Sequence, residues 1–156
     1  MTPGPIANRV ARIEAGDDPQ LIAELPSGYA ILANQQPDAL PGCCMLLPRL
    51  IDGVAPPHLD EMPRKPRGAF LGDFATLGDA VRRATGCERV NYLILCNQVP
   101  ELHAHAVPRY ATEDESKRLL DPFAAYDFAA ARRADPATTD RDLLERLRAA
   151  LAAITS

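Results

Sequence analysis

Phe70, Phe74, Leu77, Val81 and Ala84 recur at intervals of four, three, four and three residues. This spacing gathers apolar side chains on one face of a helix, and Gly86 closes the run. What flanks this helix constrains the fold more than the helix itself. Ahead of it stand three strand signals. Residues 21–25 and 29–33 flank Pro26-Ser27-Gly28, a hairpin turn, and Cys44-Met45-Leu46-Leu47 is a short apolar run after Pro41-Gly42. Behind it come residues 90–96, rich in β-formers, and residues 102–110, broken by Pro108. Only Asn97 to Glu101 separate these last two, so they should pair as an antiparallel hairpin. Three strands, one helix and two strands is not the βαβα alternation of a parallel sheet. It predicts an α+β fold, an antiparallel sheet of about five strands with helices on one face.

The flanking segments fit one domain, residues 1–156, with a core at about 20–110. Ile6, Val10 and Ile13 mark an amphipathic helix that stops at Gly16. Residues 49–68 carry four prolines and scattered charge, and read as a mobile loop with at most one helical turn. Residues 111–138 read as polar and irregular, with Pro122-Phe123 and Tyr126-Asp127-Phe128 able to pack back on the body. Thr139 and Asp142 resemble a capping box ahead of a C-terminal helix at about 140–154, whose apolar face is Leu143, Leu144, Leu147, Leu151 and Ile154.

With 47% apolar and 24% charged residues, the chain is neither disordered nor fibrous. No apolar run approaches the ~18 residues of a membrane span, and MTPGPIANRV lacks the pattern of a secretory signal. A net charge of −4 with no basic block argues against a nucleic-acid partner. Cys43, Cys44, Cys87 and Cys96 form no C-x-x-C pair. They are expected to be reduced thiols in a cytoplasmic protein, serving as small buried hydrophobes.

The chain has three histidines: His58, in the proline-rich loop, and His103 and His105 on one strand. Alternation along that strand puts Glu101, His103 and His105 on one face and Leu102, Ala104 and Ala106 on the other. Small apolar side chains on the second face call for a closely packed helix. Three readings of the first face stand side by side. The histidines can simply be solvated. They can offer two zinc ligands, with Glu101, His58 or a cysteine as a third. Or one imidazole can be a nucleophile toward phosphorus. An imidazole of ordinary pKa, ~6.5, is largely neutral at pH 7. A backbone carbonyl two residues away can hold one ring nitrogen as N–H and leave the lone pair on the other. A second histidine at i+2 can then hydrogen-bond the phosphate or the departing group.

Residues 99–110, Val-Pro-Glu-Leu-His-Ala-His-Ala-Val-Pro-Arg-Tyr, resemble the signature of the histidine triad superfamily. Upstream, Gly28-Tyr29-Ala30-Ile31-Leu32-Ala33-Asn34-Gln35 followed by Leu40-Pro41-Gly42 and the run to Pro48 is similar to that family's strand–LPG–strand segment. The resemblance spans about residues 20–110 and implies a five-stranded antiparallel sheet, usually joined to a second copy in a homodimer. It makes His103 the nucleophile that attacks the α-phosphorus of a nucleotide, and His105 its assistant. It implies that the carbonyl of Glu101 holds His103 Nδ1, that Asn34 contacts the ribose, and that Asn97 and, more weakly, Gln98 lie near the phosphates. The implied activity is hydrolysis or transfer on dinucleoside polyphosphates or nucleoside phosphoramidates. No cofactor is required at histidine, and magnesium enters only as a complex with the substrate. The sequence departs from the pattern at Glu101, where the first triad histidine would stand, and at Cys43. It has a short loop before the triad and no tryptophan, so Phe123, Tyr126 or Phe128 would have to stand in for a C-terminal aromatic. A catalytically weak nucleotide-binding module and a zinc-binding regulatory protein are the alternative readings.

Overall fold

The computed structural model describes residues 2–156. Helix α1 (Pro5–Glu14) precedes β1 (Leu21–Leu25), β2 (Gly28–Leu32), β3 (Gln35–Gln36) and β4 (Cys44–Pro48). A 3-10 turn at Leu59–Glu61 leads to α2 (Arg64–Thr85), β5 (Arg89–Leu93) and β6 (Ala104–Arg109). Short helices α3 (Glu115–Arg118) and α4 (Pro122–Ala125), a second 3-10 turn, strand β7 (Arg132–Arg133) and helix α5 (Arg141–Thr155) complete the chain. Five strands form one antiparallel sheet in the order β1-β2-β4-β6-β5, and β3 pairs with β7 beside it. The five-stranded α+β architecture is therefore as read from the sequence.

The main core lies between one sheet face and helices α2 and α5. Ala30, Leu32, Leu46, Leu102, Ala104 and Ala106 meet Phe70, Phe74, Leu77, Leu147 and Leu151, all essentially without exposure. The small residues at 104 and 106 let α2 lie close to β6, as the alternation requires. Helix α1, however, packs on the opposite face, where Ile6, Val10 and Ile13 cover Tyr29, Ile31 and Leu47. The expectation of helices on one face alone is thus corrected. Strand β2 is buried at all five positions, the mark of a strand covered on both sides.

Several boundaries differ from the sequence reading. Helix α2 begins at Arg64 inside the expected loop, because Pro66 falls in the first turn, where its missing N–H costs little. It ends as expected, with Gly86 in the left-handed conformation (φ 68°) donating to the Arg82 carbonyl. Strands β5 and β6 are shorter than the apolar runs suggest. The chain leaves the ladder at Ile94, Cys96 takes a positive φ of 56°, and the Leu102 amide donates to Pro56 O at 2.6 Å instead of to β5. The capping box does not form. Asp140 takes the N-cap position without capping, and its carboxylate instead accepts two bonds from Arg132 at 2.8 Å.

Residues 111–138 are structured, which the absence of apolar periodicity concealed. Asp114 and Asp121 cap α3 and α4 with their carboxylates. The segment is held to the sheet by Arg109, whose guanidinium pairs with Glu113 at 3.0 Å and donates to the carbonyls of Lys117 and Leu120. Tyr126 donates to the same carboxylate at 2.7 Å. Burial pushes the Glu113 carboxyl upward, but hydrogen bonds from Arg109, Tyr126 and the Tyr110 amide, with the Arg109 charge, outweigh it and leave the pKa lowered.

Replacing Glu113 by Ala leaves a buried guanidinium unpaired and should destabilise the fold by about 3 kcal/mol or more, read from urea denaturation at pH 7. Because the folded pKa is depressed, Glu113 contributes stability above the unfolded value, ~4.3. That contribution is lost as the pH falls below this value toward the folded one. Glu113→Gln should therefore narrow the stability difference between pH 7 and pH 3.

Candidate active site

The strand segment entering β6 presents Glu101, His103 and His105 on the face opposite the α2 core, each partly exposed, while Leu102, Ala104 and Ala106 are fully buried. The buried residues clamp the backbone, and the alternation aims His103 and His105 at a cavity of about 440 Å³. Its walls come from α1 (Ile6, Arg9), from β2 (Ile31), from Asn34 two residues past the end of β2, and from the two histidines.

His103 is oriented from within its own strand. Its Nδ1 lies 2.6 Å from the carbonyl oxygen of Glu101. A carbonyl can only accept, so Nδ1 carries the proton and Nε2 keeps the lone pair. The His105 ring lies edge-on to it, with centroids 5.1 Å apart at 80°. On its other side His105 meets Phe123 at 5.0 Å, and Phe123 packs on Phe128. Burial, and secondarily the neighbouring His103, push the His105 pKa down to about 4. His105 is therefore a neutral ring at pH 7, able to donate one hydrogen bond without bringing charge.

The Glu101 carboxylate does not face the cavity. Its two oxygens accept the backbone N–H groups of Ile6 at 3.1 Å and Ala7 at 2.9 Å, at the start of α1. An acid at this position is thereby turned away from the cavity and engaged by two backbone donors.

Asn34 lies in the cavity wall, with Oδ1 accepting from Arg9 Nη1 at 2.9 Å and from Gln20 Nε2 at 3.0 Å. Gln20 Nε2 also donates to the Leu32 carbonyl, which fixes which end of that amide is nitrogen. Two donors thus claim the Asn34 oxygen, and its NH₂ is the group left to offer a ligand. Arg9 is itself paired with Asp18, which has no side-chain exposure. Burial raises the Asp18 pKa, yet the Arg9 and Gln20 bonds and the charges of Arg9 and Arg12 bring it below the usual range. Behind Asn34, the buried Gln36 spans the turn between β2 and β4 through bonds to Ala33 O, Cys43 O and the Gly42 amide.

Asn97 and Gln98 are exposed on the bend after β5 and do not line the cavity. The strand ahead of Asn97 stops at Leu93 rather than running to residue 96. His58 also lies outside the cavity, beside Asp60 and Glu61. Cys43, Cys44 and Cys87 are buried free thiols, with burial raising the Cys43 pKa to about 12. Cys96 is only partly buried, and its sulfur lies 4.0 Å from His103 Nδ1. Among the described residues no group of three or more His, Cys, Asp or Glu is arranged to hold a metal ion, and no helix is long and apolar enough to cross a membrane. Sequence reasoning missed Arg9, Asp18 and Gln20, and named Phe123 only as one of three aromatics able to pack back on the body. Each reaches the site across a long loop or from another layer, where local periodicity carries no signal.

The cavity is thus walled by an oriented imidazole, a second histidine held neutral by burial and an amide whose oxygen is already engaged. No protein-family model matches the chain, and no curated protein matches it in sequence. Solved structures do resemble it. A histidine triad protein from Bradyrhizobium japonicum superposes with a TM-score of 0.68 at 18% identity, covering 90% of this chain and 95% of that one. A hypothetical histidine triad nucleotide-binding protein from Sulfolobus tokodaii gives 0.69 at 12% identity over 95% and 93%. A zinc-bound histidine triad family protein from Mycobacterium smegmatis gives 0.63 at 21% over 92% and 91%. The chain has the histidine triad fold.

If Phe123 shields His105 as the packing indicates, NMR titration should find His105 neutral down to about pH 5 and should find its pKa raised toward 6.5 in Phe123→Ala. Unfolding exposes a ring of ordinary pKa, so the stability tied to this group falls as the pH drops from about 6.5 toward 4.

Proposed function

We propose that the protein is a histidine triad nucleotide hydrolase or transferase, acting at the α-phosphate of nucleoside phosphate derivatives. Dinucleoside polyphosphates are the leading substrate class and nucleoside phosphoramidates the next. One observation carries the reading: the 2.6 Å bond from His103 Nδ1 to the Glu101 carbonyl, on a ring that lines the cavity. In the first step the Nε2 lone pair of His103 attacks the α-phosphorus. A P–N bond forms, and the bond from phosphorus to the leaving oxygen or nitrogen breaks, its electron pair going to the leaving group. His105 hydrogen-bonds the phosphate oxygens as charge builds. In the second step water attacks the same phosphorus, the P–N bond breaks, and a nucleoside monophosphate departs as His103 regains its lone pair. The Asn34 amide holds the sugar, and Arg12 on the cavity rim adds positive charge for the phosphates. Attack by imidazole needs no metal ion, and magnesium enters as part of a polyphosphate substrate.

Asn97 and Gln98 do not line the cavity, although the next residue, Val99, does. The absence of both amides from the cavity wall favours, as a second reading, a module that binds a mononucleotide and turns over poorly. Brief exposure to a nucleotidyl substrate at low pH, followed by mass spectrometry, separates the two. The enzyme should show a nucleotidyl increment on the peptide containing His103. His103→Ala should lose the increment and at least about a thousandfold in kcat, and His105→Ala about a hundredfold or more. Tight AMP binding with neither increment nor product would instead establish the binding module.

The outer edge of β5 supports a homodimer. Among the described strands β5 pairs only with β6, and Tyr92, Leu95 and Leu71 stand 49%, 52% and 42% exposed on that side. A second copy adding its own β5 would join two sheets and bury this row. Sedimentation should give twice the 16.9 kDa chain mass, and Tyr92→Glu with Leu95→Glu should give the monomer.

A further inference from the structure

Glu101 contacts the molecule in two places at once. Its carbonyl holds the His103 ring, and its carboxylate holds the first turn of α1, 95 residues away in sequence. The first amides of a helix have no partner within it, and the helix dipole makes that end favourable for an anion. Helix α1 brings no acid of its own to its first turn, and its N-cap residue, Gly4, provides no side-chain cap. The Glu101 carboxylate fills that role for a helix of ten residues. Gly4 is fitted to it, since a Cβ there would collide with the carboxylate.

Helix α1 is also a wall of the cavity, through Ile6, Arg9 and Arg12. Arg9, together with Gln20, takes the oxygen of Asn34 and so leaves the NH₂ of that amide toward a ligand. A single acidic side chain therefore connects the strand segment bearing the nucleophile to the helix that orients the opposite wall. We propose that Glu101 is a positioning residue. By clamping the start of α1 to the segment carrying His103, its carboxylate holds the ligand-reading wall in register with the attacking nitrogen. This rests on the nucleotide reading above. It gives the residue standing in place of the first triad histidine a function of its own.

The test compares Glu101→Ala, Glu101→Gln and Glu101→His with the wild type. The readouts are AMP affinity by calorimetry, turnover of adenosine 5′-phosphoramidate, and hydrogen exchange at the Ile6 and Ala7 amides. Glu101→Ala should weaken AMP binding and raise KM by about tenfold, the scale of two lost charge-assisted hydrogen bonds partly replaced by water. Its kcat should stay within about threefold, because the backbone carbonyl that orients His103 is untouched. Glu101→Gln keeps one acceptor and should fall between Ala and wild type. Arg9→Ala should cost less AMP affinity in the Glu101→Ala background than alone.

Unchanged AMP affinity in Glu101→Ala, even with a lower melting temperature, would overturn the proposal and leave the functional reading standing. So would tighter binding or faster turnover in Glu101→His. If the wild type binds no AMP and forms no adduct, the functional reading fails. The clamp is then judged by exchange alone: faster exchange at Ile6 and Ala7 on loss of the carboxylate sustains it, and equal exchange overturns it.

Discussion

The bond from His103 Nδ1–H to the Glu101 carbonyl depends on how the chain approaches β6. In a continued ladder, carbonyls and amides would be engaged in strand pairing. Here the chain leaves the ladder after Leu93, and the Leu102 amide goes to Pro56. Residues 101–103 keep an extended alternation without a β5 partner. Leu102 is driven wholly into the α2 core, which fixes Glu101 and His103 on the other side. The tautomer of the ring is thereby set by packing on the opposite face of the sheet, where Leu102 is wholly buried.

Charge is arranged around this bond with equal consequence. The chain carries a net charge of −4, yet the acids nearest the cavity are each turned to a partner. Glu101 faces the α1 amides and Asp18 faces Arg9. What remains toward the cavity is the Asn34 amide, an exposed Arg12 and a His105 kept neutral by burial. The groups left toward the cavity are hydrogen-bond donors, while both neighbouring carboxylates are engaged by partners. The same economy holds Phe123 over His105, through the Arg109–Glu113 pair that anchors the C-terminal segment.

The parts of this design legible in the sequence are those written in short periods. Two-residue alternation at 101–106 separated the buried face from the histidine face, and the 70–84 spacing located α2. Asn34 was found beside its strand and does line the cavity, while Asn97 and Gln98 were placed near the phosphates and lie outside its wall. The misplaced strand ends have one cause. Ile94 to Cys96 are apolar enough for a strand, but a turn of backbone at Cys96 and the Pro56 carbonyl redirect the chain. What the sequence could not disclose joins distant segments: the Glu101 carboxylate with α1, Arg9 with Asn34, and Phe123 with His105. Helix α1 was located correctly but not assigned to the second face, although the unbroken apolar stretch of β2 already called for cover on both sides.

Nitrogen-resolved NMR of the imidazoles at neutral pH tests the central claim most directly, because it needs no knowledge of the substrate. For His103 the account requires a protonated Nδ1 and an unprotonated Nε2, the tautomer that leaves a lone pair for attack. A His103 ring protonated at Nε2, with Nδ1 bare, would contradict it.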